Sequence, residues 1–131
     1  MKDEDFFKLW KEDDGITYSA YPEKVFLDLH TMKRIIDIRH RFCQGEKLFF
    51  CYDFSNVTGM NKEARDYSGI YGNEYFHACA VLVNSRAQLY MFNIYALLKK
   101  PQTPFKAFLT KEEAVSWLKK VQQKVYVTEA L

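Results

Sequence analysis

The sequence predicts a single α/β domain over residues 1–131, with a mixed β-sheet and about four helices packed on it. The chain has the length of one ordinary domain, and no linker rich in Pro, Gly or Ser divides it. Almost continuously apolar segments alternate with segments whose apolar residues recur every three or four positions, which indicates strands alternating with helices. Such an order predicts parallel strands joined by helical crossovers. We expect the core to span about 5–123, with a tail at 124–131 that frays or adds a small edge element.

The first part of the chain predicts a β-hairpin followed by a helix. In FFKLWKEDDGITYSAY, two strand-like arms flank Asp14-Gly15, a dipeptide that favours a tight hairpin turn. The antiparallel hairpin is what makes the predicted sheet mixed. After Pro22, the segment FLDLHTMKRIIDIRHRFCQG takes a helical period, with Asp28 suited to cap its start and Gly45 to end it in a left-handed turn.

The middle of the chain predicts a buried strand, a polar turn and a short helix. KLFFCYDF, at 47–54, is apolar on both faces, which favours a strand in the centre of the sheet. SNVTG then predicts a turn, and Asn61 is a good N-cap for the helix KEARDYSGIYG. Gly69 and Gly72 predict that this helix is short or broken.

The last third predicts two further strands, each followed by a helix. FHACAVLV predicts a strand, and SRAQLYMFNIYALLKK predicts a helix that begins at a capping box of Ser85 and Gln88 and is closed by two lysines and Pro101. FKAFLT predicts a short strand. A second capping box, Thr110 and Glu113, begins the final helix, whose apolar stripe is the clearest in the chain.

Composition excludes several classes of function. Nineteen basic and seventeen acidic residues give a net charge of +2, too balanced for the one-signed field that nucleic-acid binding requires. The basic stretch KRIIDIRHR is interpreted as a helix with one solvated, charged face. Three cysteines without a CxxC pair suit a reducing compartment, and no segment has the length of a signal peptide core or a membrane span. We therefore expect a cytoplasmic protein that binds no nucleic acid and does not insert into membranes.

No arrangement of residues predicts catalysis, a metal site or a cofactor site. His30, His40 and His77 lie far apart and none has a partner at metal-ligand spacing. The GxSxG, GxxxxGK[ST] and GxGxxG motifs are absent. Glu63 and Asp66 lie one helical turn apart, but Arg65 between them indicates an exposed charged face rather than a catalytic pair.

The helix AQLYMFNIYALLKK is unusual because apolar residues occupy nearly its whole circumference. One stripe can face the sheet, and the rest requires another cover. Three interpretations remain open, namely an enclosed core helix, a homodimer seam, and the wall of an apolar pocket for a lipid-like ligand. The residues of the possible seam or pocket are Tyr90, Met91, Phe92, Ile94, Tyr95 and Leu98.

The segments VFLDLHTMKRIIDIRHRF, YDFSNVTGMNKEARDY and ACAVLVNSRAQLYMFNIYALLKKPQTPFKAFLTKEEAVSWL carry a family likeness. In this order they resemble a group of small, mostly uncharacterised bacterial proteins with the STAS-like fold of anti-sigma factor antagonists. A neighbouring branch is grouped with CRAL-TRIO-like lipid-binding domains. The resemblance covers about residues 8–121 and implies a STAS-like mixed sheet.

In the antagonists, the bend after the buried strand and the start of the next helix hold a phosphorylatable serine in a stretch resembling DSSG. Here residues 61–64, NKEA, align with that stretch, and neither of its two serine hydroxyls is present. Ser55 and Thr58 remain nearby, and we expect their hydroxyls to bond the local backbone. The resemblance implies a possible interaction surface at Ser55, Thr58, Asn61, Lys62 and Arg65.

We therefore predict a non-enzymatic protein-interaction or regulatory module that resembles anti-sigma factor antagonists and lacks their switching serine. We expect a homodimer that docks a protein partner and uses no cofactor. The alternative hypothesis is a carrier or sensor of a small apolar, lipid-like ligand.

Overall fold

A computed structural model describes residues 2–99 and 102–130, apart from the side chain of Glu4. The strands are β1 Lys8–Lys11, β2 Ile16–Ala20, β3 Val25–Leu27, β4 Leu48–Asp53, β5 Val57–Met60, β6 Phe76–Leu82 and β7 Phe105–Phe108. The helices are α1 Asp3–Phe6, α2 Leu29–Cys43, α3 Lys62–Tyr71, α4 Arg86–Lys99 and α5 Lys111–Ala130. No helix in these ranges is long and apolar enough to cross a membrane.

Five strands form the main sheet in the order β1-β2-β4-β6-β7. β1 pairs antiparallel with β2, and the remaining neighbours are all parallel. β4 lies at the centre, and its first four residues are buried, as the continuous apolar run predicts. The mixed α/β sheet predicted from the sequence is confirmed.

Helices cover both faces of the main sheet. The alternation of side chains along β6 shows the division, because Cys79 and Val81 join one apolar cluster while Ala78 and Ala80 join the other. The first cluster contains the buried residues of α2 and α3 and is flanked by Leu89 and Phe92 of α4. The second contains Ala114 and Leu118 of α5. α2, α3 and α4 therefore pack on one face and α5 on the other.

The predicted helix and turn signals are confirmed where they depend on neighbouring residues. Asp28 accepts a hydrogen bond from the backbone N–H of Thr31, 2.8 Å, and α2 ends in two left-handed residues, Gln44 and Gly45. Asn61 caps α3 by accepting from the N–H of Ala64, 3.0 Å. These local contacts fix where the two helices begin relative to the strands before them.

The prediction of a polar turn over SNVTG is wrong in part, because Val57–Met60 forms β5. β5 pairs in parallel with β3, a strand that the sequence did not predict, in a separate two-stranded sheet. Leu27 and Val57 are buried in the main core, and this burial holds the small sheet in place. Strands of three or four residues are too short to show a hydrophobic period, which is why they are missed.

The expectation of a tail that frays or adds an edge element is wrong for the described residues, because α5 continues as far as Ala130. Val121 and Val125 extend the apolar stripe of the helix, and Gln122 is buried and donates to the backbone oxygen of Asp14, 2.9 Å. This hydrogen bond ties the last helix to the turn of the N-terminal hairpin. Lys100 and Pro101, predicted to close α4, lie outside the described residues.

Candidate interaction surfaces

α4 carries apolar residues on two opposite faces. Its inner side packs on the sheet, where the ring of Phe92 meets that of Phe54 edge to face at 4.9 Å and Leu89 joins the core. The opposite side, here called the outer face of α4, consists of Ala87, Tyr90, Met91, Ile94, Leu97 and Leu98. At 100° per residue these six positions fall within about one third of the helix circumference. Within the described chain, no residue of α4 is fully buried.

The outer face is open to solvent over three helical turns. The exposed fractions of its five large side chains run from 37% for Ile94 to 76% for Leu97. α5 offers a contrast, because its exposed positions over 111–124 are mostly charged or amide side chains. An uncovered apolar stripe of this length is unusual on a protein surface.

The structure divides the residues predicted for the seam or pocket. Tyr90, Met91, Ile94 and Leu98 lie on the outer face. Phe92 and Tyr95 lie inside, and the ring of Tyr95 is 6.3 Å from that of Phe105. Leu97 is the most exposed residue of the face and is missing from the sequence-based set. Its spacing of three and seven from Ile94 and Tyr90 is the signal that could have found it.

The ends of the outer face are charged. α4 contains no acidic residue, and Arg86 and Lys99 stand at its two ends. At the Lys99 end, Asp66 of α3 makes an ion pair with Lys62, 2.8 Å. The hydrogen bond from Lys62 lowers the pKa of Asp66 most, and the positive charge of Lys99 adds to this effect. Within α4 itself both ends are therefore basic, and Asp66 of α3 adds an acidic group at the Lys99 end.

The bend at residues 54–56 is held by side chains from three strand ends. The Ser55 N–H donates to Asp53, 2.9 Å, and the Ser55 oxygen accepts from the Asn84 amide, 3.1 Å. Asn56 donates to the backbone oxygen of Tyr21, 2.6 Å. The Ser55 hydroxyl has no hydrogen bond within the described chain, so the expectation that it bonds the local backbone is wrong. The nearby Val57 N–H, from which a serine hydroxyl in such a turn would accept, donates to the backbone oxygen of Phe54 instead, 3.0 Å.

The other residues of this predicted surface have partners of different kinds. The Thr58 hydroxyl donates to the backbone oxygen of Val25, 3.2 Å, across the small sheet. Asn61 is a helix cap and Lys62 is paired with Asp66. The Arg65 side chain is exposed and makes no hydrogen bond or ion pair with the described residues. Ser55 and Arg65 therefore present the polar groups of this surface that are open to a partner.

A buried arginine lies beneath α3. Arg39 of α2 is only 5% exposed, so the interpretation of KRIIDIRHR as a wet, charged face is wrong at this position. Its guanidinium carbon lies 4.4 Å from the centre of the Phe76 ring and 5.9 Å from that of Phe50. Nη2 donates to the backbone oxygen of Gly72, 2.6 Å, and Nε is buried without an acceptor. Helical periodicity alone could not reveal this, because the covering residues come from α3 and β6.

Two tyrosines lie in the same apolar cluster as Arg39. The hydroxyls of Tyr21 and Tyr52 are hydrogen-bonded to each other. Burial raises the pKa of both phenols, and it raises the pKa of the Cys79 thiol to about 12. These groups are therefore neutral at physiological pH and supply no negative charge to Arg39.

The described residues contain no group of three His, Cys, Asp or Glu side chains that could hold a metal ion. His77 stacks on Phe49 at 4.7 Å, and burial lowers its pKa. The three cysteines are unbridged and buried, as their apolar surroundings in the sequence predict. A surface depression beside Trp117 and Val121 lies on α5 and is not adjacent to the outer face of α4.

The sequence profile of a domain of unknown function, DUF7793, matches residues 9–122. The chain belongs to the DUF7793 family. No curated protein matches this DUF7793 chain by sequence.

Among solved structures, the DUF7793 chain is similar to an uncharacterised protein of the DUF3478 family from Shewanella loihica PV-4, which has a SpoIIAA-like fold. The TM-score is 0.67 at 15% sequence identity, over 86% of this chain and 94% of that chain. At this identity the likeness shows the fold alone. The prediction of a STAS-like fold is confirmed.

Proposed function

We propose that the protein is a non-enzymatic interaction module that docks through the outer face of α4, and that the molecule docked there is a second copy of the chain. The observation that carries this proposal is the uncovered apolar stripe of Tyr90, Met91, Ile94, Leu97 and Leu98. The SpoIIAA-like fold supports it, because that fold is shared with antagonists that work by docking. No nucleophile, base and orienting group converge within the described residues, so the chemistry of the surface favours binding over catalysis.

The size of the outer face suits a dimer interface. Burying a Leu, Ile or Met side chain removes on the order of 100 Å² from water, and a Tyr removes more. The five large side chains therefore offer roughly 500 Å² of the roughly 800 Å² per partner that a stable interface needs. Exposed Ile70 and Tyr71 lie at the end of α3, next to Gly69, whose absent Cβ would lie 3.7 Å from the Tyr95 hydroxyl of α4. They can supply part of the remainder.

The charges at the ends of α4 favour a twofold arrangement. In an antiparallel pair of α4 helices, the start of one helix lies beside the end of the other. Arg86 then approaches the end at which Asp66 stands near Lys99 of the second copy. Asp66 gives that rim an acidic group for Arg86 beside the basic Lys62 and Lys99, and the uncharged centre of the face meets itself.

Sedimentation velocity over a wide concentration range tests this proposal. We expect the wild-type chain to be a dimer, and we expect Leu97→Lys to weaken the dimer at least about tenfold, because it buries an unpaired charge in the interface. Val127→Lys is the matched control, since Val127 is exposed to a similar degree on α5. It should leave the dimer intact. A wild-type monomer at all concentrations, or equal effects of the two lysines, would contradict the proposal.

The bend at Ser55 and Arg65 is our candidate surface for a different, regulatory protein partner. This surface is polar and exposed, and hydrogen bonds to Asp53 and Asn84 hold its bend. It lies near the start of α3 rather than on α4. A dimer through α4 would present two such surfaces. The carrier hypothesis draws less support from α4, because Leu89, Phe92 and Phe105 pack in the space between that helix and the sheet.

A further inference from the structure

We propose that Arg39 is the anchor of a carboxylate-binding site between α2, α3 and the sheet, which a ligand reaches by displacing the Gly72 carbonyl. The ligand is a free small carboxylate or the carboxylate head of an acyl chain. This site is separate from the outer face of α4, so it does not depend on dimer formation.

The interior around Arg39 has more hydrogen-bond donors than acceptors. The guanidinium uses Nη2 on the Gly72 oxygen, and its buried Nε–H has no acceptor. The Tyr21 and Tyr52 hydroxyls bond each other, so one of their two protons has no acceptor among the described residues. What these donors lack is an acceptor, and an anionic oxygen is the strongest that biological ligands offer.

A buried cation without an anion is costly. Removing a guanidinium from water is strongly unfavourable unless an opposite charge is close. No carboxylate pairs with Arg39 among the side chains that the structure describes, and burial lowers its pKa. Cation–π contacts with the rings of Phe76 and Phe50 offset only part of this unfavourable free energy. A bound carboxylate would supply the opposite charge that Arg39 lacks.

The geometry of Arg39 fits a carboxylate. Nε and Nη2 lie on the same edge of the guanidinium and form a two-donor fork for the two oxygens of one carboxylate. The Gly72 carbonyl occupies one donor of that fork and leaves the other empty. The rings of Phe50 and Phe76 lie beside the guanidinium, so the surroundings of the head group suit a hydrocarbon substituent.

The segment that covers Arg39 has few buried residues. Of the residues of α3, only Ala64 is fully buried. The loop after it leads to Tyr75, which has a left-handed backbone with φ of 64°, a conformation that is uncommon for a residue other than glycine. The Leu48 N–H of β4 donates to the Tyr75 oxygen, 2.7 Å, so the proposed site requires Gly72 to move away from Arg39 while Tyr75 stays bonded to the sheet.

Titration of the full chain with three probes tests the site: acetate, dodecanoate and the neutral dodecanol. The measurements are isothermal calorimetry and the NMR resonance of the Arg39 Nε–H. We expect a carboxylate to bind saturably and to shift that resonance, and we expect Arg39→Met to weaken binding at least about tenfold. The control is Arg41→Met, which removes a positive charge from the exposed side of the same helix. It should leave the affinity unchanged.

The outcomes distinguish the two sources of the carboxylate. Similar affinities for acetate and dodecanoate identify a small free carboxylate, and much tighter binding of dodecanoate identifies an acyl chain. If Arg39→Met does not fold, Arg39→Lys keeps the charge without the two-donor edge and should weaken binding. The proposal is overturned if the Arg39 resonance does not move in the wild type, or if dodecanol binds as tightly as dodecanoate.

Discussion

Gly69 and Gly72 lie three residues apart at the end of α3, and a side chain would meet different surroundings at each. A Cβ on Gly72 would lie 2.4 Å from the backbone oxygen of Ser68, which no real side chain tolerates. A Cβ on Gly69 would meet only the Tyr95 hydroxyl at 3.7 Å, an ordinary contact. Close packing of the chain, rather than an unusual φ angle, requires glycine at position 72.

The two alanine substitutions should therefore have opposite effects. Gly69→Ala should raise the free energy of unfolding by about 0.5–1 kcal/mol, because glycine is a poor helix former. Gly72→Ala should lower it by about 1–3 kcal/mol, because the new methyl group forces the backbone to shift. Denaturant unfolding of both variants checks this. A stabilising Gly72→Ala would show that the end of α3 is packed differently.

For single residues, the sequence predicted helix caps, which depend on neighbours in the chain, but it did not predict burial by distant residues. Asp28 and Asn61 are caps because of residues three positions away, so the sequence shows them directly. Arg39 has the same local pattern as its exposed neighbour Arg41. Its burial depends on Gly72 and Phe76, more than thirty residues further along, and no periodicity in α2 reports their position.

α4 protects the edge of the sheet as well as presenting its outer face. β7 pairs on one side with β6, and on the other side its Ala107 N–H donates to the side-chain oxygen of Asn93, 3.0 Å. This amide replaces the strand partner that β7 lacks. This hydrogen bond explains why a polar residue, Asn93, lies in the middle of a mostly apolar helix.

Asn93→Leu should lower the free energy of unfolding by about 1–3 kcal/mol, because it leaves the buried Ala107 N–H without an acceptor. Hydrogen exchange at that amide should also become faster. Asn93→Asp keeps an oxygen at the same position and should retain the protection. Unchanged exchange at Ala107 in the leucine variant would mean that the edge is covered in another way.

The sequence predicted the long elements better than the short ones. β4 and β6 have six and seven residues, most of them apolar, and α5 has a clear stripe, so their type could be predicted. β3 and β5 have three and four residues and are stabilised by pairing with each other. That pairing joins segments that lie on either side of α2 in the chain. A short window of sequence includes only one of the two strands, so it cannot show that they pair.

At the scale of the whole molecule, the N-terminal segment ties α2 to the edge of the fold. Asp3 bonds Arg41 at 2.9 Å and Arg34 at 3.2 Å, and Phe7 enters the core with its ring 4.9 Å from that of Tyr21. The hydrogen bonds from Arg41 and Arg34 lower the pKa of Asp3. A carboxyl group with a lowered pKa stabilises the fold while it is ionised.

The stability that Asp3 contributes should be present above pH of about 4, the usual range of an Asp pKa, and should be lost as the pH falls through its lowered value. Asp3→Asn should therefore lower the denaturant midpoint at pH 7, and it should lower the midpoint less in acid. Asp5→Asn is the control, because Asp5 makes no side-chain ion pair within the described residues. A shift for Asp3→Asn that is equally large in acid would contradict the ion-pair explanation.

The order of strands in the main sheet also determines how the chain can assemble as it is synthesised. After the hairpin, each parallel strand pairs with the strand of the main sheet that preceded it, so β4, β6 and β7 add in turn to one growing edge. The face beneath α5 receives its cover last, when Gln122 reaches the hairpin turn at Asp14. A chain released before α5 emerges from the ribosome would therefore expose one entire apolar face of a nearly complete sheet, and such an intermediate is prone to aggregation.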